Sequence, residues 1–147
     1  MTISVGSVHT CLINNNKEIK CYGNDSYNQV SHTPTSDTYN FISSGYSHNC
    51  AIFSTTSQIT CWGRGSENQV SHTPTSDTYH FISSGWYHNC AISSSTSKIT
   101  CWGWDSDNQV SGPNDDDSLL ALLWCPSKFL HCFFVFVCVL FFFLFNW

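Results

Sequence analysis

Basic residues are nearly missing from this sequence. It has five lysines and arginines in 147 residues, scattered at Lys17, Lys20, Arg64, Lys98 and Lys128. Phosphate recognition draws on clustered cations, so the sequence argues against nucleic acid as a direct partner. Charged residues are only 10% of the chain, with a formal net charge of −5. An average soluble protein carries roughly 25%. Alanine, leucine, glutamate and lysine are scarce outside the last thirty or so residues, which disfavours helices. There is no glycine-rich phosphate loop, no G-x-S-x-G elbow and no repeated carboxylate pair. The expectation is therefore a non-enzyme with no catalytic residue and no cofactor. Residues 1–10 have neither the basic start nor the apolar run of a secretory leader. The repeats are accordingly expected in the cytoplasm, or tethered to a membrane through the C-terminal segment.

What the chain does have is a period of 40 residues. Gly45-Tyr46-Ser47-His48-Asn49-Cys50-Ala51-Ile52 returns as Gly85-Trp86-Tyr87-His88-Asn89-Cys90-Ala91-Ile92. Ile59-Thr60-Cys61-Trp62-Gly63 returns as Ile99-Thr100-Cys101-Trp102-Gly103, and a weaker first copy carries His9, Cys11, Cys21, Tyr22 and Gly23. Residues 28–39 and 68–79 are identical, which points to recent duplication. A fixed period of this size means stacked supersecondary units, and such scaffolds bind more often than they transform.

Within a copy, two runs rich in β-branched and aromatic residues flank a short polar loop, the pattern of a hairpin. Closing the second hairpin about residues 54–57 sets Cys50 opposite Cys61 and Ile52 opposite Ile59. Strand alternation then puts His48, Cys50, Ile52, Ile59, Cys61 and Gly63 on one face, with Ala51, Phe53 and Trp62 on the other. Apolar bulk on both faces predicts a sheet packed between two others. A third strand is expected at residues 41–43 and 81–83, and a fourth is expected to begin at Val30 and Val70, with Pro34 and Pro74 marking its turn. Three or four short strands in 40 residues suit a propeller blade.

The pattern resembles the regulator of chromosome condensation repeat family, whose motif reads I-x-x-G-x-x-H-x-C-A-L and then C-W-G-x-N-x-x-G-Q. The matching positions are Ile42, Gly45, His48, Cys50, Ala51, Ile52, Cys61, Trp62, Gly63 and Gln69, then Ile82, Gly85, His88, Cys90, Ala91, Ile92, Cys101, Trp102, Gly103 and Gln109. The resemblance implies an all-β fold: a partial propeller of three blades of about 40 residues, at about residues 2–39, 40–79 and 80–112, where family members close seven. It also implies structural roles for these positions, with the histidine hydrogen-bonded inside its blade and the tryptophan in blade core. The glycine before glutamine is replaced by Asn28, Asn68 and Asn108, a residue that tolerates the left-handed conformation. The hairpin loop lacks its usual glycine too. A WD-repeat propeller has a similar period, but its Trp-Asp pair appears only as Trp104-Asp105, outside the repeated strand.

Six cysteines sit at facing positions as Cys11/Cys21, Cys50/Cys61 and Cys90/Cys101. The preferred reading is reduced thiols packed between blades; disulfides in an oxidising compartment are the alternative. A metal site at His48, Cys50 and Cys61, recurring at His88, Cys90 and Cys101, lacks an evident fourth ligand, and no metal is expected. Trp86 and Trp104 suit a binding rim, on blade tops formed by residues 24–27, 64–67 and 104–107. Asn24-Asp25-Ser26 fits a glycosylation sequon, which has meaning only in a secreted chain.

Residues 113–128 read as an acidic linker containing Asp115, Asp116 and Asp117. Residues 129–147 are a hydrophobic tail running FLHCFFVFVCVLFFFLF before Asn146 and Trp147. Crossing a bilayer takes about 20 residues, so the tail reads either as a membrane anchor or as the product of a translated intron or shifted frame. Functionally, the family resemblance implies a protein-interaction module with an unidentified protein partner. Exchange factor for a Ran-like GTPase and membrane-anchored scaffold are its alternatives. Three blades leave open faces, which are expected to promote self-association.

Overall fold

The computed structural model describes residues 1–115. Its nine strands form three antiparallel sheets of three strands each. The first sheet holds β1 (Thr2–Val5), β2 (His9–Ile13) and β3 (Ile19–Gly23); the second β4 (Tyr39–Ser44), β5 (His48–Phe53) and β6 (Ile59–Gly63); the third β7 (Tyr79–Ser84), β8 (His88–Ser93) and β9 (Ile99–Gly103). A single helical turn, α1 (Ser111–Asp115), follows β9. The Asn114 side chain reads the strand's backbone there: its Nδ2 donates to the Cys101 carbonyl at 2.9 Å and its Oδ1 accepts from the Cys101 amide at 2.7 Å.

The register is the one the alternation predicts. Cys50 pairs with Cys61 and Ile52 with Ile59, and Cys90 with Cys101 in the third sheet. Each blade then lays its His-Cys-Ile face on the next blade's Ile-Ala-Trp face. Cys11, Ile13 and Ile19 pack on Ile42, Ala51 and Trp62; Cys50, Ile52 and Ile59 pack on Ile82, Ala91 and Trp102. The middle blade is covered on both sides, and five consecutive residues of β5 are buried.

The predicted fourth strand does not form among the described residues. Val30 and Val70 sit in turns instead, with the His32 amide bonded to the Asn28 carbonyl at 3.2 Å and His72 to Asn68 at 3.1 Å. The cause lies just upstream. Asn28, Asn68 and Asn108 adopt φ of 59°, 63° and 58°, and a left-handed residue curls the chain before an extended run can begin. The hairpin loops manage without glycine in the same way, through Lys17, Ser57 and Ser97 at φ of 64°, 57° and 59°.

The cysteines are joined, against the preferred reading of packed thiols. Cys11–Cys21, Cys50–Cys61 and Cys90–Cys101 form one cross-strand disulfide per blade, with sulfurs 2.00 to 2.07 Å apart. Cys50 and Cys61 are thus each other's partners rather than free thiolates. The described residues hold no group of three His, Cys, Asp or Glu side chains arranged for a metal. They also include no helix long and apolar enough to cross a membrane. The tail segment assigned to an anchor lies outside the described residues.

Candidate functional site

The repeat motif spells out a junction between blades. Asn49 is fully buried on the Ala-Trp face, which also carries Ser44 and Thr60. Its Oδ1 accepts from His9 Nε2 of the preceding blade at 2.8 Å and from Ser44 Oγ at 2.7 Å. Its Nδ2 donates to the carbonyl of Gln29 at 2.9 Å, which also receives Trp62 Nε1 at 3.1 Å. The next junction repeats this: His48 Nε2 meets Asn89 Oδ1 at 2.9 Å, while Asn89 Nδ2 and Trp102 Nε1 converge on the Gln69 carbonyl at 2.9 and 3.0 Å. The histidine therefore bonds across the blades, not inside its own as the resemblance implied. The disulfide sulfurs Cys11 and Cys50 lie 3.3 and 3.4 Å from the same amide oxygens; carrying no proton, they pack there rather than donate.

The invariable glycine three residues before each histidine has a steric reason. A Cβ on Gly45 would stand 2.3 Å from His48 Cε1 and 2.5 Å from the Gly85 carbonyl oxygen. The ring edge presses on the glycine backbone, and Nδ1 of His9 and His48 is buried without a partner among the described residues. Burial, opposed by the Asn89 bond and helped by repulsion from His9 and His88, holds the His48 pKa below its ordinary value. Gly63 is needed for another reason, since its φ of +100° is a left-handed conformation.

Gln69 ties its own loop, taking the Glu67 amide on Oε1 at 2.8 Å. Gln29 does the same with Tyr27 and also donates Nε2 to Asn24 at 3.2 Å. Arg64 occupies the place of Asn24 in the second copy, so Gln69 Nε2 is left without an acceptor among the described residues.

The blade ends where β1, β4 and β7 turn into β2, β5 and β8 carry the chemistry. The Arg64 guanidinium lies between the Tyr27 and Tyr87 rings, 5.3 and 4.6 Å from their centroids, and so links loops of three blades. Tyr46 meets Trp86 and Tyr87, each at 5.7 Å, and Tyr87 meets Trp104 at 5.2 Å. Trp86 is 67% exposed, Trp104 43% and Tyr27 46%. An open cleft of about 270 Å³ is lined by Trp86, Tyr87, His88, Trp104, Asp107 and Gln109. Among the described residues no asparagine of a further blade meets His88, which contributes to that lining. The sequence reading singled out Trp86 and Trp104 and placed Arg64 on a blade-top loop, but missed Asn49, Asn89, Tyr46 and Tyr87. A signal was available for the asparagines: a polar residue at the one strand position between Ala51 and the turn, on a face otherwise built for burial.

The regulator of chromosome condensation (RCC1) repeat matches residues 2–29. That span is the first sheet with its loop, and the other two sheets reproduce it strand for strand. Residues 2–29 carry a regulator of chromosome condensation repeat, and the second and third sheets repeat its strand pattern. Solved structures carry the same fold. The ectodomain of the receptor kinase CR4 from Physcomitrella patens is 24% identical with a TM-score of 0.66, matching 73% of this chain and 30% of its own. The CRINKLY WD40 ectodomain of the Arabidopsis thaliana receptor kinase ACR4 is 24% identical, TM-score 0.61, over 69% and 37% of the two chains. Prp20p from Saccharomyces cerevisiae is 16% identical, TM-score 0.56, over 69% and 30%. This chain therefore spans about a third of the length of the structures it matches. No curated protein sequence matches it.

Proposed function

We propose that the repeats form a non-enzymatic protein–protein interaction module whose partner docks on the aromatic blade ends. One observation carries this reading. Residues 40–71 and 80–111 differ at nine positions, and five of them fall on this one end: Tyr46/Trp86, Ser47/Tyr87, Arg64/Trp104, Gly65/Asp105 and Glu67/Asp107. The junction residues are the same in both copies, so duplication kept the scaffold while the loops changed. The changes bring in exposed tryptophan, the residue type most enriched where binding energy concentrates. A contiguous exposed aromatic patch is also unusual on a surface with no partner. In fold, the chain has a protein-binding relative in Prp20p, whose structure is described with its binding to Gsp1p and histones. The exchange-factor and membrane-scaffold readings rest on the repeat resemblance and on the tail, and no feature of residues 1–115 favours either.

The test is affinity capture with the full chain, comparing wild type with Trp86→Ala/Trp104→Ala and with Thr55→Ala/Thr56→Ala at the opposite end. Partners retained by wild type should be lost by the first variant and kept by the second. The reverse pattern, or loss in neither, refutes the assignment of the face.

A further inference from the structure

The loop after β3 holds a residue that neither the junctions nor the aromatic face uses. Asn24 is exposed. Its Oδ1 accepts from the Ser26 amide at 3.0 Å and from Gln29 Nε2 at 3.2 Å. All the structural work is done by the carbonyl oxygen, and Nδ2 donates to nothing among the described residues. Asn14, Asn49, Asn89 and Asn114 each commit Nδ2 to an acceptor, whereas Asn40 and Asn68, like Asn24, bond through Oδ1, accepting from Lys17 and Ser71. Asn24 also opens the one Asn-x-Ser/Thr triplet of the 147 residues, Asn24-Asp25-Ser26. The equivalents in the later copies are Arg64 and Trp104.

A sequon alone means little in a chain kept among reducing thiols. Here all six repeat cysteines are paired, one disulfide in each blade. Such bonds persist in secretory and extracellular compartments and are rare in the cytosol. That is also where asparagine-linked sugars are added.

We propose that Asn24 is an N-glycosylation site. The donor is a lipid-diphosphate-linked oligosaccharide. Asn24 Nδ2 attacks the anomeric carbon, the bond from that carbon to the diphosphate oxygen breaks, and the lipid diphosphate leaves with the electron pair. Nδ2 passes one proton to a base of the transferase. The product is still an amide with its carbonyl intact, so the bonds from Ser26 and Gln29 survive modification. The first-blade loop then bears a hydrophilic chain beside Tyr27, while Trp86 and Trp104 belong to the third blade. The site stands independently of where the partner docks.

The full chain is isolated from the cells that make it, with thiols alkylated at lysis, then treated with peptide N-glycosidase in heavy-oxygen water and mapped by mass spectrometry. The expected result is six unalkylated repeat cysteines and conversion of Asn24 to labelled aspartate, with loss of the glycan mass. Asn24→Gln and Ser26→Ala should abolish that mass shift, and Ser26→Thr should keep it. An unmodified Asn24 peptide beside intact disulfides overturns the proposal. So do alkylated repeat cysteines, or a glycan that survives Asn24→Gln.

Discussion

Replacing Asn49 with alanine should uncouple the first two blades. The fully buried amide serves three partners at once, His9, Ser44 and the Gln29 carbonyl. Ser44 can turn its hydroxyl, and Gln29 keeps Trp62. His9 Nε2 cannot move, because its ring is wedged on Gly6, where an added Cβ would stand 2.4 Å from Cε1. A stranded buried donor costs about 1–3 kcal/mol, and the lost amide bond to Gln29 about 1 more. The missing side chain leaves a void in a close-packed interface, adding about 1 kcal/mol. The total is about 4 kcal/mol, a large share of the roughly 5–15 kcal/mol that stabilises a domain. The register supplies a control: Thr10 pairs with Tyr22 as Asn49 pairs with Trp62, but it faces no preceding blade among the described residues. Thr10→Ala should cost less than about 0.5 kcal/mol. Urea unfolding followed by tryptophan fluorescence measures both. In a stacked repeat, a weakened junction should also broaden the transition as the first blade separates from the rest. If Asn49→Ala falls within 0.5 kcal/mol of Thr10→Ala, the asparagine staple is not what holds the blades.

Opening the Cys50–Cys61 bond with a Cys50→Ala/Cys61→Ala pair should cost about 3 kcal/mol from loop entropy for a separation of 11 residues, read as a lower urea midpoint in oxidising buffer. Gly45→Ala should cost about 1–3 kcal/mol through overpacking against His48 and the Gly85 carbonyl. Gly65→Asp should instead raise the midpoint, because Asp25 and Asp105 at the same place each accept two backbone amides, and a Cβ on Gly65 meets nothing nearer than 3.5 Å. His48 is held neutral by burial, so its contribution is complete above the unfolded pKa of about 6.5 and is lost as pH falls from there through its lowered folded value. The slope should reach at most about 1.4 kcal/mol per pH unit, and a plot of Tm against pH should flatten in His48→Gln.

The fold was legible because its signals are local or periodic. The pairing of Cys50 with Cys61 follows from loop symmetry, and burial on both faces follows from the strand composition. The left-handed Asn68 could be anticipated from a residue standing where the family has glycine. The fourth strand was misjudged because Val70 looks extended by propensity, whereas its preceding backbone is already curled. The junction was illegible for a different reason. His48 and Asn89 are 41 residues apart, and strand alternation orders residues within a blade without saying which atoms of the next blade they reach. The redox state of the cysteines was undecidable for the same kind of reason, since facing positions bring sulfurs together but composition does not set their bonding.

The same junction logic bears on association between copies. The outer face of the first blade carries Ile3 and Val5, both well exposed, along with Thr10, Leu12, Lys20 and Tyr22. In the second blade those last four places hold Asn49, Ala51, Thr60 and Trp62. The corresponding face of the third blade, which meets no further blade among the described residues, keeps the pattern of an ordinary junction, with His88, Cys90, Ile92, Ile99 and Cys101. Stacking two copies head to tail would set Thr10 against His88, with neither an amide oxygen to accept from the ring nor an indole to reach the Gln109 carbonyl. Leu12 would enter where alanine fits, and Lys20 would be carried toward an apolar surface. Such a contact has hydrophobic area but none of the directional bonds that fix the internal junctions. Self-association through these faces is therefore expected to be weak and poorly registered. A stable, well-defined head-to-tail dimer in light scattering would mean that buried apolar area, not the asparagine staple, decides how these blades stack.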